Sequence, residues 1–320
     1  MIRKKNEGSN QSLKSSSWQG AIGSHKIYAS RQLYLFVLPG IILLILFRYL
    51  PMYGVQIGFR DYSFVKGFFG SKWVGMKHFI RFFSSYNFWP MMKNTILLSF
   101  GQLIFGFPAP IIVALSLNLL HQQRYKRFIQ TTIFAPYFIS IVVLVGILFT
   151  FLSPSTGVIN FIITKFGGES LFFMGESGYF RPIYIISNIW RNTGYGTILY
   201  LGALSNVSPD LHEAATVDGA TKFQRMLAID IPAILPVAIV LLILNAGRMI
   251  SIGFQQTLLM QTPLNIQSSE IISTYVYKSG LLNGQYSFAT AVGLFEAVIN
   301  ITLLLSMNRL SRKFSDSSLW

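Results

Sequence analysis

The chain of 320 residues is 52% hydrophobic and only 12% charged, about half the charged share of an ordinary soluble domain. That is too little charge to coat a globular surface, which disfavours a soluble enzyme before any motif is read. Lysine and arginine total 26 against 11 aspartate and glutamate, a formal net charge of +15. In so apolar a chain this excess points to membrane topology and anionic lipid before nucleic acid. The absence of cysteine excludes disulfides, thiol nucleophiles and cysteine metal sites. The four histidines, His25, His78, His121 and His212, have no ligand-like spacing.

A polar, basic stretch comes first. No small-residue cleavage site follows the apolar run after it, so it reads as a flexible tail rather than a secretory signal. A helix needs roughly 20 apolar residues to cross a hydrocarbon core of about 30 Å. Six runs qualify, at about 33–50, 94–119, 131–152, 182–204, 233–250 and 287–307, the fourth being the most polar. Pro39, Pro108, Pro110, Pro136 and Pro236 fall inside them. They are read as packing kinks, with hinges in a moving bundle as the alternative.

Loop charge sets orientation. Arg3, Lys4, Lys5, Lys14, Lys26 and Arg31 in the tail, Arg124, Lys126 and Arg127 after the second span, and Arg309, Arg312 and Lys313 at the end fall on one side of a six-span layout. The long first loop on the other side carries Arg60, Lys66, Lys72, Lys77 and Arg81, but long loops obey the rule poorly. Both termini are therefore expected in the cytoplasm.

The loop at 206–232, NVSPDLHEAATVDGATKFQRMLAIDIP, falls on the cytoplasmic side by parity. Ser208 suits a helix N-cap and Pro209 the first helical position. Asp210, Glu213 and Asp218 supply negative charge, and Gly219 suits a tight bend between two helical pieces. Ala214, Ala215 and Ala220 let another backbone approach. Phe223, Met226, Leu227 and Ile231 follow at helical spacing, and Pro232 and Pro236 mark the return to the membrane. Such a bent segment suits docking into a groove of a cytoplasmic partner, or it lies on its own protein.

Glu213-Ala214-Ala215-x-x-Asp218-Gly219-Ala220, then Ile229-x-Ile231-Pro232 and Pro236, resembles the EAA loop of binding-protein-dependent ABC importer permeases. The resemblance runs over nearly the whole chain after the tail. Leu35-Phe36-Val37-Leu38-Pro39-Gly40 resembles the first span of sugar permeases, and Trp73-Val74-Gly75-x-x-His78-Phe79 with Asn94-Thr95 the approach to the second. Tyr49-Leu50-Pro51-Met52-Tyr53-Gly54, Phe107-Pro108-x-Pro110, Gln130-Thr131, Thr274-Tyr275-Val276-Tyr277, the 286–293 stretch and Leu319-Trp320 narrow the likeness to the LplB-like carbohydrate permease subgroup. That subgroup serves complex, including uronate-containing, oligosaccharides. Asp230 and Met226 depart from the family pattern, and the expectation is that they tune the fit to one particular ATPase.

The resemblance implies an all-α integral membrane protein with six transmembrane helices, the type I ABC importer permease fold and a cytoplasmic coupling helix before the last two spans. It divides the chain into a basic cytoplasmic tail at 1–32, a first transmembrane helix with a long extracytoplasmic loop at 33–93, a type-1 permease core at 94–310 and a cytoplasmic end at 311–320. It implies a bacterial cytoplasmic membrane location and alternating access. The implied partners are a second permease subunit, two ATPase subunits, an extracytoplasmic solute-binding protein, the oligosaccharide and the lipid bilayer, with no nucleic acid. With no GxxxxGK[ST] phosphate loop, the chain is expected to be non-catalytic and to bind no cofactor, ATP and Mg being held by the ATPase subunits. The implied ATPase-coupling residues are Glu213, Ala214, Ala215, Asp218, Gly219, Ala220, Ile231 and Pro232.

Asn188, Arg191 and Tyr195 share one helical face in the fourth span, with Asn192 beside them. A mid-membrane arginine costs about 2.5–3.5 kcal/mol on insertion scales. Arg191 is read either as a pathway group for sugar hydroxyls or a uronate carboxylate, or as a structural bond to carbonyls freed by a kink. Asn245 and Arg248 in the fifth span are the remaining pathway candidates, although Arg248 could snorkel. Tyr275 and Tyr277 are candidates for contact with the delivery protein. An ion-coupled secondary sugar transporter is the competing reading. It would want buried carboxylates, and Glu296 is the acidic residue within a span. No paired carboxylates or Ser-His-Asp arrangement supports a membrane-embedded enzyme.

Overall fold

The computed structural model describes residues 31–120 and 122–314. Most of the expected tail, His121 and residues 315–320 lie outside the described residues. The chain divides into two compact units, residues 1–54 and 55–320. The described part of the first unit is helical: α1 (Arg31–Leu44), a π-helical turn Ile45–Tyr49 and a last turn Leu50–Met52. Its run LYLFVLPGIILLILF is apolar all round, as a span requires and a surface helix does not.

The second unit begins with a small hairpin. Strand β1 (Arg60–Ser63) pairs antiparallel with β2 (Ser71–Trp73), with Arg60 opposite Trp73 and Asp61 opposite Lys72. The Arg60 guanidinium lies over the rings of Phe68 and Trp73 at 5.3 and 5.5 Å. Asp61 receives Lys77 Nζ at 2.7 Å and faces His78 Nε2 at 3.1 Å. The Lys77 hydrogen bond holds the Asp61 carboxyl below the ordinary carboxylate range. Lys77 and His78 open α2 (Lys77–Phe83), whose Phe82 is fully buried among Phe88, Met91, Phe288 and Val292.

Further helices include α3 (Phe88–Gly101), α4 (Pro108–Asn118), α5 (Gln123–Phe134), α6 (Ile141–Phe151), α7 (Val158–Lys165), α8 (Ser177–Leu204), α9 (Pro209–Val217), α10 (Lys222–Arg225), α11 (Ile231–Ala246), α12 (Phe254–Met260), α13 (Ile272–Tyr277) and α14 (Tyr286–Phe314). Among the described residues, Tyr34–Phe59, Phe88–Asn118, Lys222–Ala246 and Tyr286–Lys313 are long and apolar enough to cross a membrane. Helix α8 covers the expected fourth span and is 28 residues long, but Arg181, Asn188, Arg191 and Asn192 dilute its apolarity.

The expected third span, 131–152, is broken. Its arms, Gln123–Phe138 and Ile141–Phe151, meet at 98°. Pro136 supplies no N–H within the 3₁₀ turn Ala135–Phe138, Ile139 is extended, and Ser140 restarts the helix as an N-cap accepting from Val143 N. Helix α6 has 11 residues, about 16 Å at the α-helical rise, and cannot cross alone.

Three π-helical segments each end two residues before a proline: Ile45–Tyr49 before Pro51, Gln102–Gly106 before Pro108, and Met226–Asp230 before Pro232. A proline ring collides with the carbonyl four residues back. Those carbonyls belong to Phe47, Ile104 and Ala228, each inside a π segment. The widened turn relieves the collision without ending the helix.

Helix α8 is the centre of the second unit. One half packs Tyr200 and Leu204 against Ala114 and Leu115 of α4 and Ile234 and Ala238 of α11. The other half packs Phe180 and Tyr184 with Leu98, Val145 and Met260. Gly194 permits close approach of α5, since a Cβ there would collide with the Ile133 carbonyl.

Candidate functional site

The bent segment between α8 and α11 has the form its sequence predicts. Ser208 caps α9 by accepting from Asp210 N, and Pro209 opens the helix. The helix closes with Asp218 N to Ala214 O at 3.0 Å, Gly219 N to Thr216 O at 3.1 Å and Ala220 N to Ala215 O at 2.9 Å. Gly219 carries φ +80°, the left-handed conformation that ends a helix in this way. Thr221 then forms a capping box with Gln224 and starts α10, a helix start that its T-x-x-Q spacing encodes and that the reading by helical period missed. Arg225 Nη1 donates to Thr216 Oγ1 at 2.6 Å, tying α10 back onto α9.

Glu213, Ala214, Asp218 and Gly219 are exposed, while Ala215 and Ala220 are half-buried at the bend. The Glu213 and Asp218 carboxylates make no hydrogen bond or ion pair with the described residues. Phe223 and Leu227 face outward at 62% and 47% exposure. Met226 and Ile231 pack inward against the core of Tyr200, Leu204 and Ile234, so the expected single stripe of Phe223, Met226, Leu227 and Ile231 is divided between two sides. Met226 and Ile231 are five residues apart, and the π segment Met226–Asp230, with its wider turn, brings both to the inner side. Pro232 sits in the first turn of α11.

A second feature lies between α8, α11 and the Gln102–Gly106 turn. A cavity of about 540 Å³ is lined by Asn188, Asn192, Tyr195, Asn245 and Arg248 together with Gln102, a size within the range of small-ligand sites. Four of the five expected pathway residues are thereby brought together. Asn188 Nδ2 donates to Gln256 Oε1 at 3.2 Å, and Asn192 Nδ2 to Asn188 Oδ1 at 2.9 Å. The Tyr195 ring is stacked on Tyr137 at 4.4 Å. Arg248 is exposed to the cavity, and its guanidinium has no protein partner among the described residues.

Arg191 is not in the lining. Its Nε donates to Ile139 O at 3.0 Å, its Nη1 to Asn192 Oδ1 at 3.1 Å, and it lies over Tyr137 at 5.5 Å. Ile139 is the residue at the break before α6, so Arg191 satisfies a carbonyl that the break releases. The place expected for it is filled by Asn192, one residue on. Gln102 and Ser99 also line the cavity and were missed. Two polar residues three apart in the middle of an apolar span were the available signal.

A larger groove of about 740 Å³ runs along α5 and α8, but it has no charged residue in its lining and does not reach this polar cluster. Tyr275 and Tyr277 are half-buried, against the rings of Phe288 and Phe254. Glu296 accepts from Ser273 Oγ at 3.1 Å. Asp230 is 1% exposed. It faces inward and offers no surface for direct contact with a partner.

Residues 106–316 match the family described as binding-protein-dependent transport system inner membrane component. The chain is 43% identical over 304 residues to Protein LplB of Bacillus subtilis (strain 168), covering 95% of this chain and 94% of that protein. It is also 43% identical over 295 residues to the polygalacturonan/rhamnogalacturonan transport system permease protein YteP of the same organism, covering 92% of each. A crystallised bacterial alginate ABC transporter, in complex with an alginate pentasaccharide-bound periplasmic protein, contains a chain that superposes with a TM-score of 0.85 at 39% identity. The match covers 92% of this chain and 99% of that one. With more than half its length matched by the family and relatives of this identity across nearly all of it, the chain belongs to the binding-protein-dependent transport system inner membrane components.

Proposed function

We propose that this chain is one of two permease subunits of an ATP-driven importer that takes up an acidic, uronate-containing oligosaccharide by alternating access. Two ATPase subunits hold ATP and Mg, and an extracytoplasmic binding protein delivers the cargo. The chain crosses the cytoplasmic membrane six times, α8 and the bent pair completing the count, with both termini in the cytoplasm.

The observation that carries this reading is the bent segment α9–Gly219–α10. It presents two carboxylates without a partner among the described residues and two outward apolar side chains. A carboxylate at a helix C-terminus opposes the helix dipole, so Asp218 at the end of α9 is suited to a cationic partner surface rather than to self-stabilisation. Glu213 is the second charge partner, Gly219 supplies the turn, and Ala214, Ala215 and Ala220 permit close contact. ATP binding shifts the assembly only if the two access states differ in how the ATPases hold this segment.

The cavity supports the cargo assignment. Asparagine amides and a tyrosine suit sugar hydroxyls, and the free guanidinium of Arg248 suits a carboxylate. YteP and the alginate transporter, named for acidic polysaccharides, support the same class. Residues Asn188, Tyr195, Asn245 and Arg248 contact cargo in this reading, and Arg191 supports them from behind.

The test is uptake of a labelled oligouronate by proteoliposomes carrying the full complex and its loaded binding protein. Uptake should require ATP on the ATPase side and be indifferent to ionophores. Gly219→Asp and Glu213→Lys should insert normally yet uncouple hydrolysis from uptake. Uptake driven by an ion gradient without ATP would establish the secondary-transporter reading instead.

A further inference from the structure

Asp230 is the most buried carboxylate among the described residues, at 1% exposure, and it occupies a junction. One oxygen, Oδ1, receives Asn118 Nδ2 at 3.2 Å and faces His212 Nε2 at 3.3 Å. Asn118 is the last residue of α4, His212 lies on α9 directly before Glu213, and Asp230 precedes the first residue of α11. A single carboxylate oxygen thus joins two apolar helices to the exposed bent segment.

Asp230 is the last residue of the π segment, which continues without a break into α11, so there is no helix end for its side chain to cap. Here the π segment Met226–Asp230 turns the residue inward, and the carboxylate serves α9 and α4 instead. His212 Nε2 bonds that oxygen as a donor when the imidazole proton is carried there. Burying a carboxylate is unfavourable unless it is bonded on all sides. Conformational specificity is one return for that penalty, and here the geometry it specifies is the seat of α9.

We infer that Asp230, through His212 and Asn118, is a positioning residue that makes α9 move as one body with α4 and α11. This rests on the reading of α9 as the ATPase-coupling helix. Without the strut, α9 stays in its ATPase cleft but transmits less of the cleft's displacement to the membrane helices. The signature is hydrolysis wasted per oligosaccharide moved, rather than lost assembly.

The experiment uses the full reconstituted complex and reads ATP hydrolysed per oligouronate imported, normalised to assembled complex. His212→Ala leaves the apolar helices untouched. It should raise that ratio roughly fivefold or more, the scale on which directly contacting residues couple. Asp230→Leu should do the same, and the double variant should be no worse than either single. His212→Gln keeps a donor at the Nε2 position and should restore a ratio within about twofold of the parent. Since the chain has no cysteine, a spin-label pair at Val217→Cys and Leu120→Cys can report the seat of α9 directly. Its distance distribution should broaden in His212→Ala and not in His212→Gln. If both alanine and leucine variants keep the parental ratio while Gly219→Asp is uncoupled, the strut is refuted and the coupling helix stands. If Gly219→Asp is itself fully coupled, the coupling-helix reading falls and takes the strut with it. Reduced assembly with an unchanged ratio would reduce Asp230 to a folding contact and refute the proposal.

Discussion

Gly219 offers the sharpest quantitative perturbation. Its φ is +80°, and a Cβ built on it meets nothing within 4 Å. Gly219→Ala therefore adds no collision, and its whole effect is backbone strain in the left-handed region, about 1–2 kcal/mol. That energy depletes the bent conformer by roughly 5- to 30-fold. A partner that binds only the bent form loses apparent affinity by up to the same factor. The assay is titration of purified ATPase subunits onto the permease in nanodiscs, with Kd and stimulated hydrolysis as readouts. Asparagine tolerates this conformation better than other non-glycine residues, so Kd should rise in the order Gly, Asn, Ala, Val. Gly178→Ala, which also meets open space but has no positive φ, should stay within about 0.5 kcal/mol of the parent. An alanine variant that binds like the parent, or an asparagine variant worse than alanine, would refute the backbone argument. The second result would mean that side-chain size against the partner governs docking.

Arg248→Ala should raise the KM for oligouronate import by roughly 10-fold or more, the scale of a lost charge-assisted bond, and leave a neutral oligosaccharide of equal length nearly unaffected. Equal losses for both would detach Arg248 from carboxylate recognition. Arg191→Met should lower the thermal stability of the purified protein by about 1–3 kcal/mol, because the Ile139 carbonyl loses a donor. Uptake per assembled complex should persist, whereas loss of uptake at full stability would return Arg191 to the pathway. The Asp61–Lys77 pair lowers the carboxyl pKa in the folded state. Its stabilisation is thus fully present above the ordinary aspartate pKa of about 4 and fades as pH falls through the lower folded value. Both partners are substantially exposed, which limits the contribution to about 0.2–1 kcal/mol. Comparing thermal melts of the parent and Asp61→Asn from pH 7 downward should show a gap that closes in acid; a gap constant across that range would contradict it.

The parts of this molecule set by local rules were legible in the sequence. Ser208-Pro209 reads as a helix start and Gly219 as a helix end wherever they occur, so the bent segment follows from its own residues. The apolar runs announce themselves by length alone. What depends on distant partners was not legible. Asp230 reads as a surface acid until the widened turn before it rotates it inward. Arg191 and Asn192 are neighbours, and only the position of Ile139, far earlier in the chain, decides which of them faces the cavity. The break at 139–140 lies inside a run that is apolar on both sides, where hydropathy registers no interruption. Pro136 marked a kink but not an angle of 98°.

The most direct test of the central claim is a cross-link from the bent segment to the ATPase. Val217 is 88% exposed, and a thiol introduced by Val217→Cys meets no competing native one. In the assembled transporter it should cross-link to an ATPase subunit, with a yield that changes between the nucleotide-free and ATP-bound states. It should also resist a membrane-impermeant maleimide applied from the extracytoplasmic side. Labelling from that side, or no cross-link in a complex that still transports, would contradict the account.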